Sequence, residues 1–169
     1  MIEPRDAVVN VARSFRWVRE TNGSNRGEVV DEMVRRTGLD PATRSPWCAC
    51  FVAYCGYAAM RDRWPLRKVA GCVSLADDAV TKGLLRDAPA PGAVFLLYGK
   101  AFDGATRFKH TGFVVGMNAN GGWDTIEGNT NEAGHPDGVG VFERVRQFGP
   151  SDRFIHWWET PAATLRIAA

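Results

Sequence analysis

The hydrophobic period changes once along this chain, at Pro89-Ala90-Pro91-Gly92, and that change limits the architectures open to it. Before the turn, apolar residues recur at the three- and four-residue spacing of a helix face. Val8, Val11, Ala12, Phe15 and Val18 predict a helix from about Asp6 to Glu20, broken by Asn22-Gly23-Ser24-Asn25. Asn25 and Glu28 have the form of a capping box opening a second helix through Val29, Val30, Met33 and Val34. Gly38 closes that helix, with Pro41 beyond it. Pro46 suits the first turn of a third helix running to about Met60, and a fourth spans Ser74 to Lys82 and ends at Gly83. After the turn, short apolar runs at Ala93–Tyr98, Thr111–Gly116, Trp123–Gly128, Val139–Arg146 and Phe154–Trp158 alternate with turn-rich segments. Helices first and strands second predict an α+β fold, N-terminal helices packed on a C-terminal antiparallel sheet. The 169 residues suit a single domain with its own core, 1–169, without repeats or a linker.

Charge and cysteine usage exclude several function classes. A formal net charge of +2 with no polybasic block gives no electrostatic case for nucleic acid, although a mildly basic surface suits an anionic polymer. No run approaches the length of a membrane span. Met1-Ile2-Glu3-Pro4-Arg5-Asp6 lacks a charged start followed by an apolar core, so synthesis in the cytoplasm without a signal peptide is expected. Cys48, Cys50, Cys55 and Cys72 cluster in sequence and do not resemble a disulfide framework. Cys48 and Cys50 lack a second pair and a nearby histidine, which is poor zinc spacing. Free thiols, with no metal and no cofactor, are expected.

Cys48 stands at the start of the third helix, where unpaired backbone N–H groups and the helix dipole favour thiolate, the reactive form. Cys50 lies about 200° further round the helix. Cys55 returns to the face of Cys48 but deeper, and Cys50, Cys55 and Cys72 read as buried apolar fillers. Position alone leaves Cys48 between reactive thiol and filler. Of the histidines, His135 lies in a loop and reads as a surface residue, while His156 precedes Trp157-Trp158 and reads as half-buried and structural. His110 opens a strand, a rigid support that leaves the ring accessible to act as a base. Glu127 and Asn129 are two apart, so a continuing strand would point both to one face, where either could orient a histidine. Singly, Glu127 also fits an exposed polar position and Asn129 a turn.

Together these pieces resemble the CHAP family, the cysteine, histidine-dependent amidohydrolases and peptidases, which are papain-like peptidoglycan hydrolases. The resemblance is carried by Pro-Trp-Cys-Ala-Cys-Phe-Val at Pro46–Val52, Pro-Gly-Ala-Val-Phe at Pro91–Phe95, His-Thr-Gly-Phe-Val-Val at His110–Val115 and Ile-Glu-Gly-Asn-Thr-Asn at Ile126–Asn131. Gly-Ser-Asn-Arg at Gly23–Arg26 also resembles the start of such a domain, and the likeness runs from about 20 to 158. It implies a papain-like fold of the CHAP/NlpC type, Cys48 as nucleophile, His110 as base, Glu127 as the group orienting the histidine and Asn129 as an accessory polar group. It also implies cleavage of a wall amide, either between muramic acid and alanine or within the stem peptide or cross-bridge. Some relatives carry an aspartate-rich calcium loop ahead of the cysteine; Gly38–Pro46 holds only Asp40, so no calcium is expected, and no wall-binding domain is expected either.

Six tryptophans is a high count for this length. Trp47 beside the nucleophile and Trp123 at the start of the Glu127 strand are candidates to present a flat face to substrate, against a core reading for both. Of Trp157 and Trp158, one should be core and the other partly exposed. The rival functions are a papain-like cysteine protease or toxin acting on protein, and a non-catalytic wall-binding module. A monomeric wall hydrolase without a leader would reach its substrate as a phage lysin, after a membrane pore opens, or as an effector delivered by a secretion machine. An effector would have an immunity protein as partner.

Overall fold

The computed structural model describes residues 2–101, 103–133 and 138–159. Four helices precede a six-stranded sheet, so the chain is α+β. Helix α1 (Pro4–Ser14) has proline in its first turn, Asp6 near its N-terminus and Arg13 in its last turn, matching the helix dipole. It ends well before Glu20. Val18 is buried through tertiary contact instead: its carbonyl accepts the Val141 N–H, Arg19 bridges Gly140, and the Glu20 N–H donates to the Val139 carbonyl. An edge pairing there satisfies backbone groups that a longer helix would have used internally.

Helix α2 (Glu28–Arg35) lacks the expected capping box. Asn25 adopts a left-handed φ of 55° and donates its backbone N–H to Glu20 Oε2, and Gly27 occupies the N-cap position. Asp31 does the work foreseen for Glu28, accepting from the Gly27 N–H and from two nitrogens of Arg26. Helix α3 (Cys48–Met60) is apolar on nearly every side and forms the centre of the core, with Trp47 at its N-cap and Pro46 just outside it. Helix α4 (Cys72–Thr81) starts two residues earlier than expected, because Gly71 rather than Ser74 leads into it and accepts the Leu75 N–H. That start places Cys72, like Cys48, at a first helical position.

The strands are β1 (Leu85–Arg86), β2 (Val94–Lys100), β3 (Thr106–Met117), β4 (Trp123–Thr130), β5 (Gly140–Arg146) and β6 (Arg153–Ile155). Their order is β1-β6-β2-β3-β4-β5, every pairing antiparallel. The two-residue β1 carries too little pattern to be read from sequence. β3 runs back to Thr106 and makes a long hairpin with β2, so His110 lies inside the strand rather than at its end. β6 stops at Ile155; Trp157 is buried with its indole N–H on the Gly92 carbonyl, while Trp158 is half-buried.

Helices α1, α3 and α4 pack on the sheet face bearing Val94, Leu96, Phe113, Ile126 and Ile155. A smaller apolar cluster of Ala93, Phe95, Val114 and Phe154 covers the other face. No helix among the described residues is long and apolar enough to cross a membrane.

Candidate active site

The site forms where the N-terminus of α3 meets β3 and β4. This approach is close because two positions carry no side chain. A Cβ on Gly128 of β4 would come within 2.6 Å of Phe51 and 2.8 Å of Trp47, so only glycine lets α3 seat this deeply. A Cβ on Gly112 of β3 would lie 2.7 Å from the Ile126 carbonyl oxygen and 3.0 Å from Glu127 Cγ. Gly112 therefore leaves the room through which Glu127 reaches across to His110.

His110 and Glu127 are both fully buried, with His110 Nε2 and Glu127 Oε2 at 2.8 Å. Burial of His110 departs from the accessible ring expected at a strand end. Its Nδ1 makes no hydrogen bond among the described residues, and the Cys48 thiol lies close enough for its charge to act on the ring. Glu127 is held on every side: Thr125 Oγ1 donates to Oε1 at 2.6 Å, Arg146 Nε donates to Oε1 at 2.7 Å, and Arg146 Nη2 donates to Oε2. A buried carboxylate costs several kcal/mol unless paired, and here two cations pair it.

The protonation states follow from these contacts. Burial pushes Glu127 up, but its bonds to Arg146 and His110 outweigh this and bring its pKa to about 2. Burial pushes His110 down, and the opposing influence of Cys48 and Glu127 lifts it to about 9. Cys48 is drawn well below the usual thiol value, first by hydrogen bonding with Cys72 and then, against burial, by His110. Cys72 is held well above it by the same contact and by burial, so it keeps its proton and donates S–H to the Cys48 thiolate across 3.6 Å. These shifts all favour a line of alternating charges through the centre: thiolate, imidazolium, carboxylate, guanidinium.

The other candidates fall elsewhere. Asn129 does not share the arrangement of Glu127, because β4 bulges against β5 after Glu127 and Asn129 takes a left-handed φ of 58°. Its amide is buried and bonds no described residue, His110 included. Trp47 is fully buried with its indole N–H on Glu20 Oε1, so it offers no face to a ligand. Trp123 is half-buried against the cluster on the far side of the sheet. Cys50 touches Thr37 and is raised by burial to about 11; Cys55 is raised well above its usual value by burial alone. His156 is half-buried, bonded to Glu159 and the Ala88 carbonyl and stacked on Trp158. His135 lies outside the described residues.

Two members of the centre were missed in the sequence, Cys72 and Arg146. Cys72 would have been found had Gly71 been read as the N-cap of α4. Arg146 carries no local signal: the β4–β5 pairing sets it opposite Trp123, and only its long side chain brings the guanidinium to Glu127.

Cys48 and Cys72 open onto a cleft of about 500 Å³, a volume suited to a small ligand or short peptide. Chemically, such an arrangement can supply a thiol with lowered pKa, an imidazole able to exchange protons, a carboxylate that fixes the imidazole, and an adjoining cleft. Compared with known proteins, the chain matches no family model, no curated protein and no solved structure.

Proposed function

We propose that the protein is a papain-like cysteine amidohydrolase of the CHAP type that cleaves an amide bond of bacterial peptidoglycan. The observation that carries this reading is the buried His110 bonded to Glu127 and coupled to a Cys48 thiol at a helix start, beside an open cleft. The wall as substrate comes from the resemblance of the Cys48, His110 and Glu127 motifs to that family.

The chemistry is acyl transfer. The Cys48 thiolate attacks the amide carbonyl, and the carbonyl oxygen becomes an oxyanion that the Cys48 backbone N–H can receive. His110, protonated at rest, gives its Nδ1 proton to the departing amine, and its Nε2–H stays on Glu127 throughout. The now neutral His110 takes a proton from water, whose oxygen attacks the thioester and frees Cys48. Glu127 keeps the imidazole in the orientation and tautomer that the transfer requires, and Arg146 and Thr125 hold Glu127. Asn129 has no part in this sequence.

The same centre would serve a protease acting on protein, so the substrate decides between the two. Purified peptidoglycan and casein are digested in parallel with wild type and Cys48→Ala. Release of wall fragments by wild type alone supports the proposal; Cys48-dependent cleavage of casein with an untouched wall replaces it by the protease reading. A wall hydrolase made in the cytoplasm would act after release through a membrane pore or after delivery into a competitor.

A further inference from the structure

The cleft beside Cys48 has two unlike walls. One is built from Leu39, Pro46, Ala70, Gly71 and Val73 and carries no charge. The other is the β2–β3 hairpin, which contributes Lys100, Asp103, Arg107 and Lys109. Arg107 and Asp103 neutralise one another through two bonds of 2.9 Å. Lys109 Nζ donates one hydrogen bond to the Lys100 carbonyl at 3.2 Å, and neither lysine is ion-paired with a described residue. Two uncompensated ammonium groups therefore stand on one side of the nucleophile. The formal charge of the whole chain is +2, so the remainder of the chain is balanced and the cleft holds the excess. Inside the centre the charges of Cys48, His110, Glu127 and Arg146 alternate and cancel, so a ligand in the cleft experiences the lysines as the dominant field.

We propose that Lys100 and Lys109 form a carboxylate subsite, so that the substrate is a short peptide with a free carboxylate along one edge and small apolar groups along the other. This rests on Cys48 being the acyl-transfer nucleophile, and it narrows the substrate to acidic peptides. Lysine suits the task as a mobile, hydrated point charge: it attracts an anion without demanding one geometry. The uncharged wall, with alanine, glycine and proline close to Cys48, leaves room for small side chains and provides no partner for a second charge. Selection by exposed ammonium groups acts mainly on substrate capture. It therefore appears in KM, and it weakens with salt because exposed charges are screened over about 10 Å at 0.1 M ionic strength.

The test uses soluble wall peptides prepared in two forms, with their carboxylates free or converted to amides. Wild type, Lys100→Ala/Lys109→Ala and Lys100→Glu/Lys109→Glu are compared, with thermal melting to show that each variant is folded. Wild type should lose about tenfold in kcat/KM on the amidated form, through KM, equivalent to about 1.4 kcal/mol. The alanine variant should cleave both forms alike, and the glutamate variant should favour the amide form. Equal cleavage of both forms by wild type, or a preference that survives in the alanine variant, overturns the subsite. If wild type cleaves neither form, the hydrolase reading fails separately. Calorimetric binding of the two peptides to Cys48→Ala then decides the subsite: tighter binding of the free carboxylate that depends on the lysines supports it, and equal binding overturns it.

Discussion

Replacing Glu127 with glutamine removes one charge from the centre and almost no volume, so it isolates what the carboxylate does for His110. In the native protein His110 titrates at about 9 although burial works against its charged form. A unit-charge pair at contact is worth about 4 kcal/mol in the partly screened interior of a protein, and about 1.4 kcal/mol corresponds to one pKa unit. Arg146 already offsets part of the Glu127 charge, so the net loss is about 1–3 units, placing His110 in Glu127→Gln between about 6 and 8. Two readouts follow. Titration of the His110 ring by NMR should show the drop directly, and the alkaline limb of the proposed amide hydrolysis should move down with it, because the proposed mechanism uses the protonated ring. Loss of the anion also strands Arg146, which predicts destabilisation of about 3–5 kcal/mol in urea unfolding. Removing that cation as well, in Glu127→Gln/Arg146→Met, should recover most of the stability while His110 stays low. A His110 pKa unchanged within half a unit in a folded Glu127→Gln would refute the coupling.

Cys72→Ala should raise the pKa of Cys48, since the S–H donor that contributes most to lowering it is lost. The pH dependence of iodoacetamide labelling at Cys48, read by mass spectrometry, measures this, and Cys72→Ser should retain most of the native value. Gly128→Ala should cost about 1–3 kcal/mol or more in urea unfolding, because its Cβ would meet Phe51 and Trp47 at 2.6 and 2.8 Å; a neutral result would contradict the close seating of α3. The contribution of His110 to stability is complete below pH 6.5 and disappears as pH rises through about 9, because its folded pKa lies above its unfolded value of 6.5. Glu127 has the opposite sign: its contribution is complete above pH 4.5 and disappears as pH falls through about 2. Urea midpoints measured from pH 2 to 10 should therefore fall at both ends, and the alkaline fall should shift down in Glu127→Gln.

Local pattern carried the architecture further than it carried the site. The change of period at Pro89–Gly92 separates the four helices from five of the six strands, and an apolar stretch after a proline was enough to put Cys48 at a helix start. Boundaries failed where tertiary contact overrode local signals. Val18 leaves α1 to meet β5, Asp31 displaces Glu28 as the capping carboxylate, and a bulge turns Asn129 away from Glu127. The burial of His110 depends on tertiary contacts, with Glu127 bonded to it and the Phe95 ring beside it, neither of which is visible in six residues of strand pattern. Arg146 pairs with Trp123 across the strands and reaches Glu127 only through the length of its side chain. The glycines in His-Thr-Gly and Glu-Gly-Asn were present in the motifs, but their reason, the absence of space for a Cβ, needs the packed structure.

The most direct test is mass spectrometry of purified peptidoglycan after digestion by wild type and by Cys48→Ala. The account predicts fragments with new amide-derived ends from wild type alone, either at muramic acid or within the stem peptide, and an unchanged wall with the folded variant. Fragments that persist in Cys48→Ala, or none from wild type across several wall chemotypes, would contradict it.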